Sequence, residues 1–276
     1  KPLKFLEDYI WQKEFSWLDK ESFDQLTDCD FQARANFAAT IQHYHTQRII
    51  GMIKAVSDKK PEVKNIALAG GCALNCLTNH DIFDQLSFKE AYVSSTPDDT
   101  GIALGAAFLN LFEANPKVIV KNPFEIRGNF GPLRNNHAGE YRPRPRIGFE
   151  VSSLSTKNFA EAVVEKIKEN RCALISFGRS ESGPRALGFR SILANPFSAN
   201  IVDHLNNKVK FREQFRPYGL ILLQSEVSEY FEVPTSYSSP FMSFAPKARK
   251  KYYKLLSEVM TPNSRIRIQT VSIAVP

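Results

Sequence analysis

A short apolar run ending in two adjacent glycines, Asn65-Ile-Ala-Leu-Ala-Gly-Gly71, constrains this chain more than any other feature. An apolar stretch, paired glycines and then a helix-forming segment, Ala73 to His80, read as strand, tight turn and helix. The pattern returns about thirty residues on. Ala91-Tyr-Val-Ser-Ser95 reads as a second strand, and Gly101 to Phe112 as a small-residue helix packed tightly against a sheet. Ahead of both, Phe37, Ala38, Ile41, Ile49, Ile50, Ile53 and Val56 fit a long amphipathic helix from about Ala33 to Val56. Strands alternating with helices predict a layered α/β domain.

Residues 1–30 are aromatic and charged without a clean period and read as short helical or irregular structure. From Lys121 to about Phe149 the pattern dissolves into Gly, Pro, Asn and Arg, which marks a linker. A new α/β pattern follows: Asn158 to Lys168 as an amphipathic helix, Cys172 to Phe177 as a buried strand, Pro196 to Asn207 as a helix-like stretch. Arg265 to Ile273 reads as an alternating strand. The expected organisation is a first domain over 1–127, a linker over 128–149 and a second domain over 150–276. The missing initiator methionine and the stop at Pro276 without a closing helix read as a fragment.

A length of 276 residues suits one large or two ordinary domains, and 43% apolar with 24% charged residues excludes a disordered chain. The formal net charge of +7 suits nucleic acid, an anionic membrane or phosphate-bearing substrates. Many of the cations fall between Arg179 and Arg216, which favours a specific anion site over a diffuse basic surface. Cys29, Cys72, Cys76 and Cys172 form no C-x-x-C pair, so reduced, packed thiols of a cytoplasmic protein are expected. No run approaches the length of a membrane span, and Lys-Pro-Leu-Lys-Phe is no signal peptide. His43 and His45 are not spaced i, i+4 and read as surface or boundary residues.

Four motifs carry chemistry. Ala69-Gly-Gly-Cys-Ala-Leu-Asn75 is a turn in which backbone N–H groups and a helix N-terminus can approach a nucleotide; the plain alternative is a tight turn without ligand. In Ser95-Thr-Pro-Asp-Asp-Thr-Gly101, Asp98 or Asp99 caps the following helix, or Asp99 serves as ligand to a divalent metal. Gly178-Arg-Ser-Glu-Ser-Gly-Pro-Arg-Ala-Leu-Gly-Phe-Arg190 gathers Arg179, Arg185 and Arg190 in one glycine-bearing loop. Clustered guanidiniums need an anion to relieve their repulsion, a bound phosphate or the neighbouring Glu181. In Asn206-Asn-Lys-Val-Lys-Phe-Arg-Glu-Gln-Phe-Arg-Pro217, Lys208, Lys210 and Arg212 alternate and on a strand would share a face, with Arg216 extended before Pro217.

Strand-Gly-Gly-helix followed by strand-Asp-x-Gly-helix is the layout of the second lobe of actin-like and sugar-kinase ATPases. More specifically, Gly70-Gly-Cys-Ala-Leu-Asn-Cys76 with Asn79, and Asp99-x-Gly-x-x-x-Gly-Ala-Ala107, resemble the second half of the actin-like domain of NodU-type O-carbamoyltransferases. Glu181-x-Gly-Pro-Arg-Ala-Leu-Gly-x-Arg-Ser-Ile-Leu-Ala-x-Pro196 and Asn206-x-Lys-Val-Lys-x-Arg-Glu-x-Phe-Arg-Pro217 resemble that family's YrdC-like C-terminal domain. Tyr230-Phe231, Ser239-Pro-Phe-Met242 and Arg267-Ile-Gln-Thr-Val271 continue the match in order.

The resemblance implies an α/β fold, a partial actin-like (ASKHA) lobe followed by a YrdC-like domain. It implies an enzyme that activates carbamoyl phosphate with ATP to carbamoyl adenylate and passes the carbamoyl group to the hydroxyl of a small-molecule acceptor. A divalent metal ion, iron or magnesium, is implied as cofactor. By the same resemblance Arg185, Arg190, Lys210 and Arg212 are candidate catalytic residues. Gly70, Gly71, Asn75, Arg179, Lys208 and Arg216 are candidates for ATP or phosphate contacts, and Asp99 for the metal. Neither a membrane nor nucleic acid is an expected partner, and a homo-oligomer is compatible.

Two departures stand out. Thr261-Pro-Asn-Ser264 replaces the family's His-x-Asp-Gly-type segment, and the first lobe with its metal-binding histidines lies outside this sequence. The alternatives are threonylcarbamoyl-adenylate chemistry for tRNA modification and a nucleotide-binding module without catalysis.

Overall fold

The computed structural model describes residues 30–86, 88–117, 156–176, 178–257, 259–260 and 264–271. The expectations for residues 1–29, for the 128–149 linker, for Cys29 and for Thr261 to Asn263 lie outside the described residues. Two compact units separate by contact. One comprises residues 1–67 and 77–92, the other residues 68–76 and 93–276.

In the first unit, α1 (Phe31–Ser57) starts where the Asp30 carboxylate accepts from the Ala33 N–H at 2.7 Å, an N-cap that satisfies an otherwise unpaired donor. β1 (Asn65–Leu68), α2 (Cys76–Gln85) and β2 (Glu90–Val93) follow, with β1 beside β2. The long helix is where its pattern predicts, but of the apolar stripe only Ile50 is buried, and the other buried positions are Thr40 and Thr46. Hydroxyls explain this. Thr78 Oγ1 on α2 lies 2.8 Å from Thr46 Oγ1, 3.1 Å from Gln42 Nε2 and 3.1 Å from His45 Nδ1. A hydroxyl both donates and accepts, so one buried threonine satisfies three partners and joins two helices.

The second unit contains α3 (Ile102–Ala114), α4 (Thr156–Asn170), the antiparallel pair β3 (Cys172–Ser176) and β4 (Arg190–Ala194), and the parallel pair β5 (Leu220–Leu223) and β6 (Ile268–Val271). Short helices α5 (Ile201–His204), α6 (Val227–Tyr230) and α7 (Tyr253–Leu256) lie between them. The core collects Val227, Phe231, Tyr237, Phe241, Phe244, Ala248, Leu256, Ile266 and Ile268. Burying a side chain of Phe231's size contributes roughly 2–3 kcal/mol. β6 is held from both sides. Leu220 pairs with Ile268 in register on one edge. On the other, the buried Ser239 hydroxyl donates to the Ile268 carbonyl at 2.9 Å, and the Thr270 N–H donates to the Ser239 carbonyl at 3.0 Å.

Several expectations are corrected. The α3 helix forms, but none of its residues is buried; Ile102, Leu109, Leu111 and Phe112 are exposed because no described layer covers them. β3 is not a buried strand: Leu174 is 78% exposed, since the two-stranded sheet leaves one face open. β6 is buried at three successive positions rather than alternately, being covered on both faces. Cys72, Cys76 and Cys172 are free thiols, but Cys72 is exposed rather than packed. Among the described residues no helix is long and apolar enough to cross a membrane.

Replacing Thr78 with valine keeps the shape and removes the hydroxyl shared by Thr46, Gln42 and His45. Thr78→Val is expected to lower unfolding stability by roughly 1–3 kcal/mol, read as a fall in urea midpoint at constant slope.

Candidate functional site

Three loops of the second unit meet: the glycine turn 70–75, the segment 95–101 and the arginine loop 178–190. Gly70 adopts φ +91, a left-handed geometry that glycine tolerates, and its N–H donates to the Pro97 carbonyl at 2.6 Å. That donor therefore ties two loops together, leaving the exposed Gly71 at the start of the short 3-10 turn Gly71–Leu74 and Asn75 at its end. Asp98 is the helix cap, accepting from Thr100 N–H and hydroxyl, while Asp99 is exposed beside it. Gly183, at φ +91, presses against Ser95 so closely that a Cβ there would sit 2.0 Å from the Ser95 carbonyl oxygen.

Glu181 shapes the arginine loop. Its Oε1 accepts from the N–H groups of Leu187, Phe189 and Arg190, each at 2.9 Å. Burial opposes its charge, but the N–H groups of Arg190, Leu187, Glu181 itself and Phe189 outweigh that and hold its carboxyl below the ordinary glutamate value. Glu181 thus closes the loop on itself. Arg190 completes the closure, donating from Nη1 to its neighbour Phe189's carbonyl and from Nη2 to that of Gly178, both at 2.9 Å. Arg185 projects the other way, its Nη2 donating to the Leu74 carbonyl of the glycine turn at 3.1 Å.

The second basic segment is organised by Asn206, which is fully buried. Its Nδ2 donates to the carbonyls of Gln214 and Arg216 at 3.1 and 3.3 Å; its Oδ1 accepts from Arg212 Nε and the Tyr218 hydroxyl, both at 2.8 Å. The Arg212 guanidinium also lies 4.5 Å from the centre of the Tyr218 ring. The alternating strand expected for Lys208, Lys210 and Arg212 does not form. Residues Leu205–Val209 make a single π-helical turn and Phe211 follows at φ +48, so the three do not share a strand face. Asn206's inward amide coils the segment around itself, which alternation in sequence does not reveal.

The seven sequence-picked cations therefore separate. Arg185 and Arg212 both act on a third guanidinium, Arg267, which lies just before β6. Burial first, then Arg185 and more weakly Arg212, push Arg267 below the usual arginine value, against an opposing pull from Cys76 that is larger than the Arg212 contribution. Its Nε is buried without a hydrogen-bond partner. No carboxylate is among the groups acting on it. Arg216 instead pairs with Glu213 at 2.8 Å, Arg190 serves the backbone, and Arg179, Lys208 and Lys210 are exposed. Arg267 was legible only as part of a motif; its isolation inside the fold was not. An open surface hollow of about 470 Å³ is lined by Asn206, Asn207, Phe211, Arg212, Glu213 and Arg216, so Arg212 is the one member of the cluster that borders it.

Comparison with known families now decides the relationship. The family model for the Carbamoyltransferase N-terminus matches residues 6–108, and that for the Carbamoyltransferase C-terminus matches residues 164–275. The chain belongs to the carbamoyltransferase family. It is 31% identical over 242 residues to Nodulation protein NolNO of Sinorhizobium fredii, covering 87% of this chain and 35% of that protein. To Nodulation protein NolO of Bradyrhizobium diazoefficiens it is 32% identical over 219 residues, 78% of this chain and 39% of the other. Nodulation protein U of Rhizobium tropici is 33% identical over 212 residues, 77% and 34%. The chain thus spans little more than a third of the length of these relatives.

Two outcomes are expected of this carbamoyltransferase chain. Glu181→Gln removes charge-assisted bonds whose contribution is complete above the ordinary glutamate pKa and is lost as pH falls through the depressed folded value. The stability gap between wild type and variant is therefore expected at neutral pH and to close in acid, measured by thermal melts across pH. Asn206→Ala is expected to cost roughly 1–3 kcal/mol in denaturant unfolding and to weaken anion binding through the displaced Arg212.

Proposed function

We propose that the family's chemistry here is activation of carbamoyl phosphate with ATP to carbamoyl adenylate, followed by transfer of the carbamoyl group to an acceptor hydroxyl. One observation carries the reading: the positive charges of Arg185 and Arg212 both act on Arg267, whose Nε is buried and unpartnered, and no carboxylate is among the groups acting on it. Like charges held together in low dielectric are stable only when an anion joins them. A phosphate or phosphoanhydride is the anion whose geometry suits forked guanidiniums.

Atom balance sets the order of events. Water first displaces inorganic phosphate from carbamoyl phosphate and leaves carbamate. A carbamate oxygen then attacks the α-phosphorus of ATP, forming the new O–P bond as pyrophosphate departs with the electron pair of the broken anhydride bond. Both steps build negative charge on phosphoryl oxygens, which fixed guanidiniums stabilise without reorganising. Arg185 and Arg212 are the residues we assign to that charge, with Arg267 beneath them. Lys208, Lys210 and Arg179 are proposed as outer phosphate contacts, and Gly70, Gly71 and Asn75 as the nucleotide turn, with Gly71 rather than the engaged Gly70 N–H nearest to offering a donor. For the metal, Asp99 is the one proposed ligand. Among the described residues no group of three His, Cys, Asp or Glu side chains is placed to hold an ion, so the set here does not fit a complete site and no step runs through it.

The test is release of pyrophosphate from ATP by the full-length protein. It is expected to require carbamoyl phosphate and to yield one inorganic phosphate per pyrophosphate. Pyrophosphate release driven by threonine and bicarbonate instead would overturn the assignment. Arg185→Ala is expected to weaken carbamoyl phosphate binding by about tenfold or more without lowering the melting temperature of the second unit; unchanged calorimetric affinity would contradict it.

A further inference from the structure

A second dense run of cations takes no part in the arginine site: Lys247-Ala-Arg-Lys-Lys-Tyr-Tyr-Lys254, five in eight residues. Its start is fixed to the core. Ala248 is fully buried and its N–H donates to the Ser264 carbonyl at 2.8 Å. Arg249 donates from its backbone N–H to the Tyr230 carbonyl and from Nε to the Ser228 carbonyl, both at 2.8 Å. From there a 3-10 turn, Lys250–Tyr252, runs into α7. At about 3.6 residues per turn, positions 250, 251, 254 and 255 share one side. Exposure agrees with that spacing: Lys250, Lys251, Lys254 and Leu255 are exposed, Tyr252 and Tyr253 half-buried, and Leu256 buried. The outward side is therefore three lysines and a leucine that is 44% exposed.

We propose that this face docks reversibly on an anionic lipid surface, its lysines among the headgroups and Leu255 at the acyl boundary. Lysines beside an apolar side chain on one helix side are the pattern that such a surface takes. Lys251 already pairs with Glu229 at 2.7 Å, so Lys250 and Lys254 supply the attraction; among the described residues neither forms an ion pair. A small anion fits less well, because the hollow beside Lys250 is also walled by Glu229 and Glu232. A nucleic acid strand would ask for an open aromatic ring. The Tyr252 ring is engaged by Tyr230, centroids 4.7 Å apart, and by the Lys251 ammonium at 4.9 Å, and its hydroxyl donates to Glu229. Leucine, not an aromatic ring, is the apolar group on the outward side. The contact is weak and sensitive to salt, since it rests on few charges and one apolar side chain. It needs no spanning helix, it is independent of the carbamoyl phosphate reading, and it departs from the partners that the resemblance implies.

The experiment sediments the full-length protein with vesicles of phosphatidylcholine alone and of phosphatidylcholine mixed with phosphatidylglycerol. Wild type is expected to bind the mixed vesicles about tenfold or more tightly than the neutral ones, and to be released as salt is raised. Lys250→Glu combined with Lys254→Glu is expected to erase that preference at an unchanged melting temperature. Equal binding of wild type to both vesicles, or binding to neither, overturns the proposal whether or not the variant folds. So does a preference that survives in the double variant, which would move the contact elsewhere on the chain. Binding of a single-stranded oligonucleotide that the double variant loses, with no vesicle binding, would overturn it in favour of nucleic acid.

Discussion

The loop that carries Arg185 exists because one carboxylate gathers backbone donors. Glu181 accepts from Leu187, Phe189 and Arg190, and the curl it imposes sets the direction of everything else in that segment. Arg190 is turned back to the loop's own carbonyls, Arg185 is turned out toward Leu74, and the Leu187 carbonyl is presented to Gln269. Without that clamp, a glycine-rich loop with several arginines would have many conformations and mutual repulsion to separate them. With it, charge is placed before any ligand arrives, the condition under which electrostatic stabilisation is strongest.

A second buried polar group does the same for the other basic segment. Asn206 holds four partners inside the turn and spends Arg212's Nε on its own Oδ1. The guanidinium keeps further N–H groups, so Arg212 is both anchored and able to act on Arg267. The two clamps share a logic. A short polar side chain is buried by satisfying it completely with backbone and near neighbours, and long cations are thereby aimed. Where satisfaction stops, at Arg267 Nε and Gln269 Oε1, two buried polar atoms remain that nothing among the described residues completes.

Much of this was readable from residue order. Paired glycines after an apolar run located the turn, and Gly70 takes the left-handed backbone that only glycine adopts cheaply. Helices were found within a few residues because apolar spacing survives even where, as in α1, two threonines are buried and only one isoleucine of the stripe is. The long arginine and lysine motifs pointed to the family that both family models match. The strand expected for Lys208 to Arg212 failed because alternation says nothing about a buried asparagine inside the segment. The packed helix expected over 101–112 failed because apolarity reports a need for cover and not its supply.

What the sequence determined by itself, then, was local: where the chain turns, which segments coil, and where cations are concentrated, since those follow from side-chain shape, spacing and charge within a few residues. Which cations cooperate was decided only by tertiary structure. Arg267 is 55 positions beyond Arg212 and 82 beyond Arg185, by subtraction of their numbers. Their company, and the loneliness of Gln269 Oε1, arise from strand pairing and loop closure, which bring distant residues together under a low dielectric where an unmatched charge or acceptor becomes expensive.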